Sequence, residues 1–510
     1  DDDTLFPQAL ERMYNFAKKY DLDVVNPKVI RTKGWSWGWE EYKTNIIGAE
    51  KYGIQSMGPM TVPKLYKKAF LEKNNLAFNE GEKVWWEDVM FSCLVYSKHP
   101  RIGILADYPI YHWRDQNRSA SFGKDLEYKW LQLNNLGQFF VENLNSEDRD
   151  TMIRHWYKSR VLGAIGDNFH KKKQTTQEIE FLKARIWRER FVNDNVISKL
   201  DLRSKILDYI LKNNRIDLAY TISENRAGIT ARSYLKNVSF VEDKIFVSCS
   251  AKLTVDEQEE LKIKGKIKGN NKKVKINLPK EVLRELPVDL HYYDEEEINK
   301  SIYLPAIKGR YSRVTWDIKT VEKSNFVFKT GLTGFYVTGE LEFMIDMKNY
   351  TFDNDDYFQP WDVATRFSFL DYFSQRAIAC NEDFRKAAII NNNTFVVYKN
   401  NSGLFSIDMN STILDFLSVA KADVENATII NGKDIIIPII NTHVYGNADI
   451  EYIASVINDE STEFVDTTAK IFSKDGLAFL KVITNGVKKG KNTIKIILNN
   501  KVHELSVDIK

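Results

Sequence analysis

The chain has 510 residues, too many for one hydrophobic core, so three or four domains are expected. A net charge of +3 gives no reason to expect a nucleic-acid partner, and no apolar run approaches the roughly 20 residues that span a bilayer. The three cysteines, Cys93, Cys249 and Cys380, are far apart and form no CxxC, which argues against a disulfide scaffold or a zinc site and suits a reducing cytoplasm.

Residues 1–125 read as mixed α/β. Thr4-Leu-Phe-Pro7 leads into an amphipathic helix with Leu10, Met13, Phe16 and Ala17 on one face and Pro7 in its first turn. Asp23-Val-Val-Asn26 reads as a short buried strand ended by Pro27, and Trp35-Ser-Trp-Gly-Trp39 as a loop or short strand. Helices are expected from Lys64 to Leu71 and from Glu87 to Ser97. Residues 126–222 contain no proline and carry apolar stripes at helical spacing, as in Trp130, Leu133, Leu136 and Phe140, so they form a helical linker subdomain.

From residue 223 the period changes to two. Lys244–Cys249, Leu261–Lys268, Lys272–Ile276, Phe335–Thr338 and Leu341–Ile345 read as strands, with a hairpin turn at Gly269-Asn270-Asn271. Ala427–Ile430, Asp434–Pro438, Leu480–Thr484 and Thr493–Ile497 continue the pattern. Two all-β modules of sandwich type follow, 223–348 and 349–510. Most of the 24 Tyr, 29 Phe and 11 Trp suit such cores, although a ring face also packs on the apolar face of a sugar.

Three clusters carry chemistry. Asp1-Asp2-Asp3 either caps the following helix or holds Mg²⁺ or Mn²⁺ against a diphosphate, with Asp3 capping while Asp2 points to the metal. Glu87-Asp88 opens a helix directly after Trp85-Trp86. Capping is one reading; the other is a partly desolvated carboxylate with a raised pKa, suited to general-base work. In Tyr111-His-Trp-Arg-Asp-Gln-Asn-Arg-Ser119, continuing to Ser121, the residues Arg114, Arg118, Ser119 and Ser121 either clamp phosphate oxygens or form a solvated loop. Trp35, Trp37 and Trp39 are core residues or, since alternation puts them on one face, a sugar platform. Lys262, Lys264, Lys266 and Lys268, with Lys272, Lys273 and Lys275, make one face of a hairpin cationic. That face either guards a sheet edge or tracks a polyanion.

The order of these elements, with Pro63-Lys-Leu-Tyr-Lys67 and Glu87-Asp88-x-x-Phe91, resembles family 2 glycosyltransferases of the A-type, Rossmann-like fold. Within that family the chain is most similar to the staphylococcal enzymes that glycosylate wall teichoic acid, which have a catalytic domain, a helical linker and C-terminal β-sandwich (Ig-like) modules. The resemblance implies that Asp2 and Asp3 are metal-motif acids, Asp88 the catalytic base with Glu87 beside it, and Arg114, Arg118 and Ser119 the grip on the donor diphosphate. Asn117-Arg118 stands where a histidine is expected, and the family's nucleoside-binding strands would precede Asp1, so the sequence reads as a fragment or processed form.

The implied reaction is inverting and uses Mn²⁺ or Mg²⁺. A sugar, taken as GlcNAc from the UDP-sugar donor UDP-GlcNAc, passes to an anionic polyol-phosphate polymer. The resemblance also implies a cytoplasmic homotrimer held by the region after 349, in peripheral association with the inner face of the plasma membrane. A capsular or other surface-polysaccharide glycosyltransferase is the alternative enzyme. A non-catalytic polysaccharide-binding β-sandwich protein is the alternative of another class, against which the acid pair and the Arg114–Ser121 segment argue.

Overall fold

The computed structural model describes residues 3–31, 44–78, 85–113, 125–268, 271–351, 358–430, 433–458, 461, 463–483, 490–498 and 501–509. Its first unit is a mixed sheet between two helical layers. The strands are β1 (Thr4–Leu5), β2 (Val24–Arg31), β3 (Ile46–Ile47), β4 (Leu65–Tyr66) and β5 (Ile102–Trp113), in the order β1-β5-β2-β4 with β3 also on β5. Only β2 and β5 run parallel, and both are buried on two faces. Alternation along them, reset on β5 by the irregularity between Leu105 and Pro109, sorts the core. Val25, Leu105, Tyr108 and Ile110 face helix α1 (Ala9–Tyr20), while Val24, Ile102, Ile104 and Ala106 face helix α3 (Glu87–Tyr96).

Four expectations are corrected here. Leu10 is 64% exposed, because Ala9, Met13, Phe16 and Ala17 define the face that meets the sheet and Leu10 lies outside it. Pro7 precedes the helix, whose cap is Gln8. Strand β2 runs through Pro27 to Arg31. It does so because the antiparallel partner β4 reaches only Val24 and Val25, and the β5 register shifts at Pro27/Lys28, so no ladder donor is needed there. The stretch from Lys64 begins as strand β4, captured by the open edge of β2, and only Lys68–Lys73 is helix (α2).

Helices α4 (Leu126–Asn143), α5 (Ser146–Trp156), α6 (Gln174–Phe191), α7 (Asp194–Ser198), α8 (Leu202–Lys212) and α9 (Ile216–Asn225) form the second unit. Trp130, Leu133, Leu136 and Phe140 are all buried in it. Asp208 fastens its centre, accepting from the Tyr157 hydroxyl at 2.7 Å and twice from the Arg188 guanidinium at 2.7 and 3.0 Å.

Three β-sheets follow. The sheet built on Lys244–Val255 and Gly334–Ile345 packs against one built on Ile302–Gly309 and Pro360–Phe369. Gly339 lies at the closest approach, where a Cβ would come within 2.9 Å of Tyr303 and 3.1 Å of Phe367. The expected division at 348/349 falls inside this unit, since Ile302–Gly309 pairs with Pro360–Phe369 from Ile302↔Ser368 to Gly309↔Trp361. The third sheet spans Thr428–Ile509, and its core includes Ala387, Ile389, Val396 and Tyr398 of the sheet before it. Among the described residues no helix is long and apolar enough to cross a membrane.

Candidate active site

Parallel pairing of β2 with β5 fixes one end of the first unit. Ile30 stands opposite His112 and Arg31 opposite Trp113, so both strands finish side by side. Strand β1 returns antiparallel, with Thr4 opposite His112 and Leu5 opposite Tyr111. Asp3 and the carboxyl ends of the parallel strands therefore share one edge, the place where open α/β sheets bind ligands. Asp2, Trp35, Trp37, Trp39, Arg114, Arg118, Ser119 and Ser121 lie outside the described residues.

Asp3 does not cap a helix. The first helix starts at Ala9, and Asp3 instead accepts a hydrogen bond from the Tyr111 hydroxyl at 2.6 Å. Tyr111 lies on β5, and burial followed by the Asp3 contact pushes its phenol well above the usual range. Among the described residues no group of three or more metal-ligating side chains converges. What Asp3 offers is a carboxylate, a hard oxygen donor that fits Mg²⁺ or Mn²⁺.

Glu87 and Asp88 open α3, whose cap residue is Trp86. Trp86 sits at φ 64°, ψ 30°, a left-handed conformation that is costly for so bulky a residue. Glu87 is exposed and Asp88 half-buried. Burial pushes the Asp88 carboxyl up to about 6, the Glu87 charge adds to the rise, and the Val89 N–H, 2.8 Å from Oδ1, and Lys64 oppose it. A helix start favours the anion, so desolvation here outweighs the dipole.

Sequence reasoning missed Lys64. Its ammonium donates to the Pro59 carbonyl at 2.6 Å and the Thr61 carbonyl at 2.9 Å, and burial lowers it to about 7 against the pull of Asp88. The turn that holds it is fixed in place by Asn26 of β2, buried, which donates to the carbonyls of Ser56 at 3.0 Å and Gly58 at 2.7 Å. Tyr66, two residues on, has its phenol raised by burial, with Asp88 adding to the shift. No local pattern announces this arrangement, because Asn26, Lys64 and Asp88 lie far apart in sequence and are brought into one region by the turn after Ser56 and by α3.

The helical unit closes the other side. The Trp85 N–H donates to the Gln132 side chain at 3.2 Å, the Trp85 ring meets Tyr128 edge-on at 5.4 Å, and Trp86 meets Trp156 at 4.8 Å. Below the sheet, buried Lys28 lies 3.6 Å from the centre of the Trp316 ring, joining β2 to the first β-unit. Away from this site, a groove of about 970 Å³ runs between the helical unit and the first β-unit. The Arg226–Asp371 pair in its lining joins the two, and Arg226 also reaches Asp167, which pairs with Arg203 within the helical unit.

No protein-family model matches the chain, and no curated protein matches it. Solved structures do. The chain is similar to S. aureus TarS. Identity is 14%, the alignment covers 99% of this chain and 84% of TarS, and the TM-score is 0.35. TarS residues 1–349 in complex with UDP-GlcNAc align at 19% identity over 51% of this chain and 72% of theirs, with a TM-score of 0.36. TarS residues 217–571 align at 10% identity over 75% of this chain and 100% of theirs, with a TM-score of 0.25.

Proposed function

We propose that the chain is a nucleotide-sugar-dependent glycosyltransferase and that Asp88 is its general base. The observation that carries this reading is one half-buried carboxyl held at about 6 in the field of the half-buried Lys64 ammonium, at the start of a helix whose cap is strained. A base poised near neutral pH, with an ionised state that Lys64 favours, is what deprotonation of a sugar or polyol hydroxyl requires. Asp88 takes the hydroxyl proton, the oxygen bonds to the anomeric carbon, and the bond from that carbon to the diphosphate oxygen breaks. In-line attack inverts the configuration, so an α-linked donor gives a β-glycoside. Exposed Glu87 reinforces the raised pKa of its neighbour.

In this reading the first unit is an A-type, Rossmann-like catalytic domain of family 2, and the β-units are Ig-like sandwiches. Asp2 and Asp3 would hold Mn²⁺ or Mg²⁺, which when bound neutralises charge on the leaving diphosphate. Arg114, Arg118, Ser119 and Ser121 grip that diphosphate, and Trp35, Trp37 and Trp39 receive sugar. The donor is UDP-GlcNAc, the ligand with which TarS residues 1–349 were solved. The acceptor is a wall teichoic acid polyol phosphate, drawn along the hairpin of Ile263–Lys268 and Asn271–Val274, where Lys264, Lys266 and Lys273 are exposed. The work is done in the cytoplasm at the inner face of the membrane.

A homotrimer is part of the proposal, and the third sheet supplies its support. Ile483, Thr468, Ile453, Ile497 and Val502 lie directly opposite one another across five strands. Ile453 is 66% exposed and Val502 57%. The neighbouring ranks are charged, with Lys470–Glu451 on one side and Lys495–Glu504 on the other. An apolar strip with a charged rim is the anatomy of a protein interface.

Asp88→Asn tests the central assignment. UDP release that depends on acceptor should fall about 10²–10⁴-fold, the usual effect of losing a general base, while UDP-GlcNAc still binds. Transfer at the wild-type rate would remove Asp88 from the mechanism.

A further inference from the structure

The far half of β2 is weakly laddered. Among the described residues β4 flanks only Val24 and Val25, so from Asn26 onward β5 is the one strand beside it. The register with β5 slips between Pro27 and Lys28 and again between Lys28 and Val29, and the residue opposite Lys28 is Pro109, which has no N–H to give. Yet this half ends at Ile30 and Arg31, on the edge where open α/β sheets bind ligands. Side-chain packing has to hold what the ladder does not.

Lys28 makes that packing. It is 4% exposed, and its ammonium lies 3.6 Å from the centre of the Trp316 ring, which is also buried and belongs to the first β-unit. The short strand of Trp316, Thr315–Asp317, pairs with Ile302–Gly309 through Ile307↔Trp316. Next to it, buried Arg366 of Pro360–Phe369 donates to Asp317 at 3.5 Å. The ring is therefore a platform anchored to two strands of another unit. Alternation puts Ile30 on the same face of β2 as Lys28, and Ile30 is part of the continuous core that includes Trp316. Burial pushes the Lys28 ammonium down to about 7, with Asp317 opposing the shift and Lys319 adding to it. A leucine or methionine would fill this space without that cost, which points to a use for the charge in the contact it makes.

We propose that the first β-unit positions the ligand-binding edge of the first unit through this contact: Trp316 clamps Lys28, and Lys28 sets the strand end Ile30–Arg31 in the geometry that receives the donor. Lys28 and Trp316 are positioning residues and touch no substrate. The clamp stands on the packing alone. The choice of a nucleotide-sugar donor as the ligand it serves rests on the transferase reading.

The test uses the full chain, amide hydrogen exchange followed by mass spectrometry, and calorimetry and steady-state kinetics with UDP-GlcNAc. Trp316→Ala should speed exchange in the peptide that carries Val29–Arg31 roughly tenfold, the fold-change that matches loss of a desolvated cation–π contact, and leave exchange in α8 unchanged. UDP-GlcNAc should bind about tenfold more weakly and its KM should rise, while kcat at saturating donor stays within about twofold of wild type, a split that a mere loss of folded protein does not give. Trp316→Phe keeps a ring face for the ammonium and should recover most of the protection and the affinity. Lys28→Met fills the same space without the charge and should shift both quantities in the same direction by a smaller factor. It decides alone if Trp316→Ala does not fold. Exchange at Val29–Arg31 that neither Trp316→Ala nor Lys28→Met speeds overturns the clamp and leaves the transferase reading standing. Faster exchange with donor affinity unchanged overturns the assignment to the donor. A wild-type chain with no affinity for UDP-GlcNAc overturns that assignment together with the transferase reading, and exchange then decides the clamp.

Discussion

The acid-pair region and the third sheet break the inside–outside rule in opposite directions. Around α3 the exceptions are polar groups turned inward, namely Asn26 buried and Lys64 half-buried against backbone carbonyls and Asp88 half-buried directly after two tryptophans in the chain. On the third sheet they are apolar groups turned outward, with Ile453, Ile483, Ile497 and Val502 at 40–66% exposure. Burying a polar group costs free energy unless hydrogen bonds or a paired charge offset it, and exposing a row of isoleucines costs it unless something covers them. The contrast separates a site for reaction from a site for assembly, and each should fail in its own way.

The largest expected effect is at Asp88. Asp88→Asn should cut transfer about 10²–10⁴-fold, yet stability at pH 7 should hold or rise. The sign follows from the raised folded-state value of about 6 against an ordinary 3.8. Stability from this group is fully present below about 4 and is lost as pH rises toward 6, so removing the charge removes a penalty. A large fall in Tm at pH 7 would show that Asp88 is structural.

Ile453→Lys should act in the other region only. Light scattering should report a trimer for the wild type and a monomer for the variant, with turnover of short acceptors retained. Equal masses for the two would show that the apolar strip serves no self-association.

Lys64→Met sharpens the polar side. Loss of the ammonium removes the charge that holds the Asp88 pKa down, so the acid limb of the pH–rate profile should move to higher pH. An unmoved limb would assign Lys64 solely to the turn it ties. The smallest effect is expected from Tyr111→Phe, which removes the 2.6 Å hydrogen bond to Asp3. The metal concentration needed for half-maximal activity should rise by only a few-fold, in line with about 1 kcal/mol for one hydrogen bond.

Much of the framework was legible in periodicity. The stripe from Trp130 to Phe140 and the alternation of Leu341–Ile345 each report a local element with a fixed face, and both are found. What escaped was set by partners distant in sequence. Pro27 reads as a strand end until its pairing with Leu105 is known, Leu65-Tyr66 reads as helix until Val24 and Val25 capture it, and Ile302–Gly309 joins a sheet whose partner begins at Pro360. The desolvation of Asp88 was foreshadowed by Trp85-Trp86, whereas Lys64 and Asn26 carry no local mark at all.

The pH dependence of acceptor-dependent UDP release, recorded as kcat/KM for the wild type, tests the account most directly, since that quantity reports the free enzyme's essential base. An acid limb with an apparent pKa of about 6, absent from the residual activity of Asp88→Asn, is expected from a base shifted by burial. A limb in the ordinary carboxylate range, or one that survives unchanged in Asp88→Asn, would contradict it.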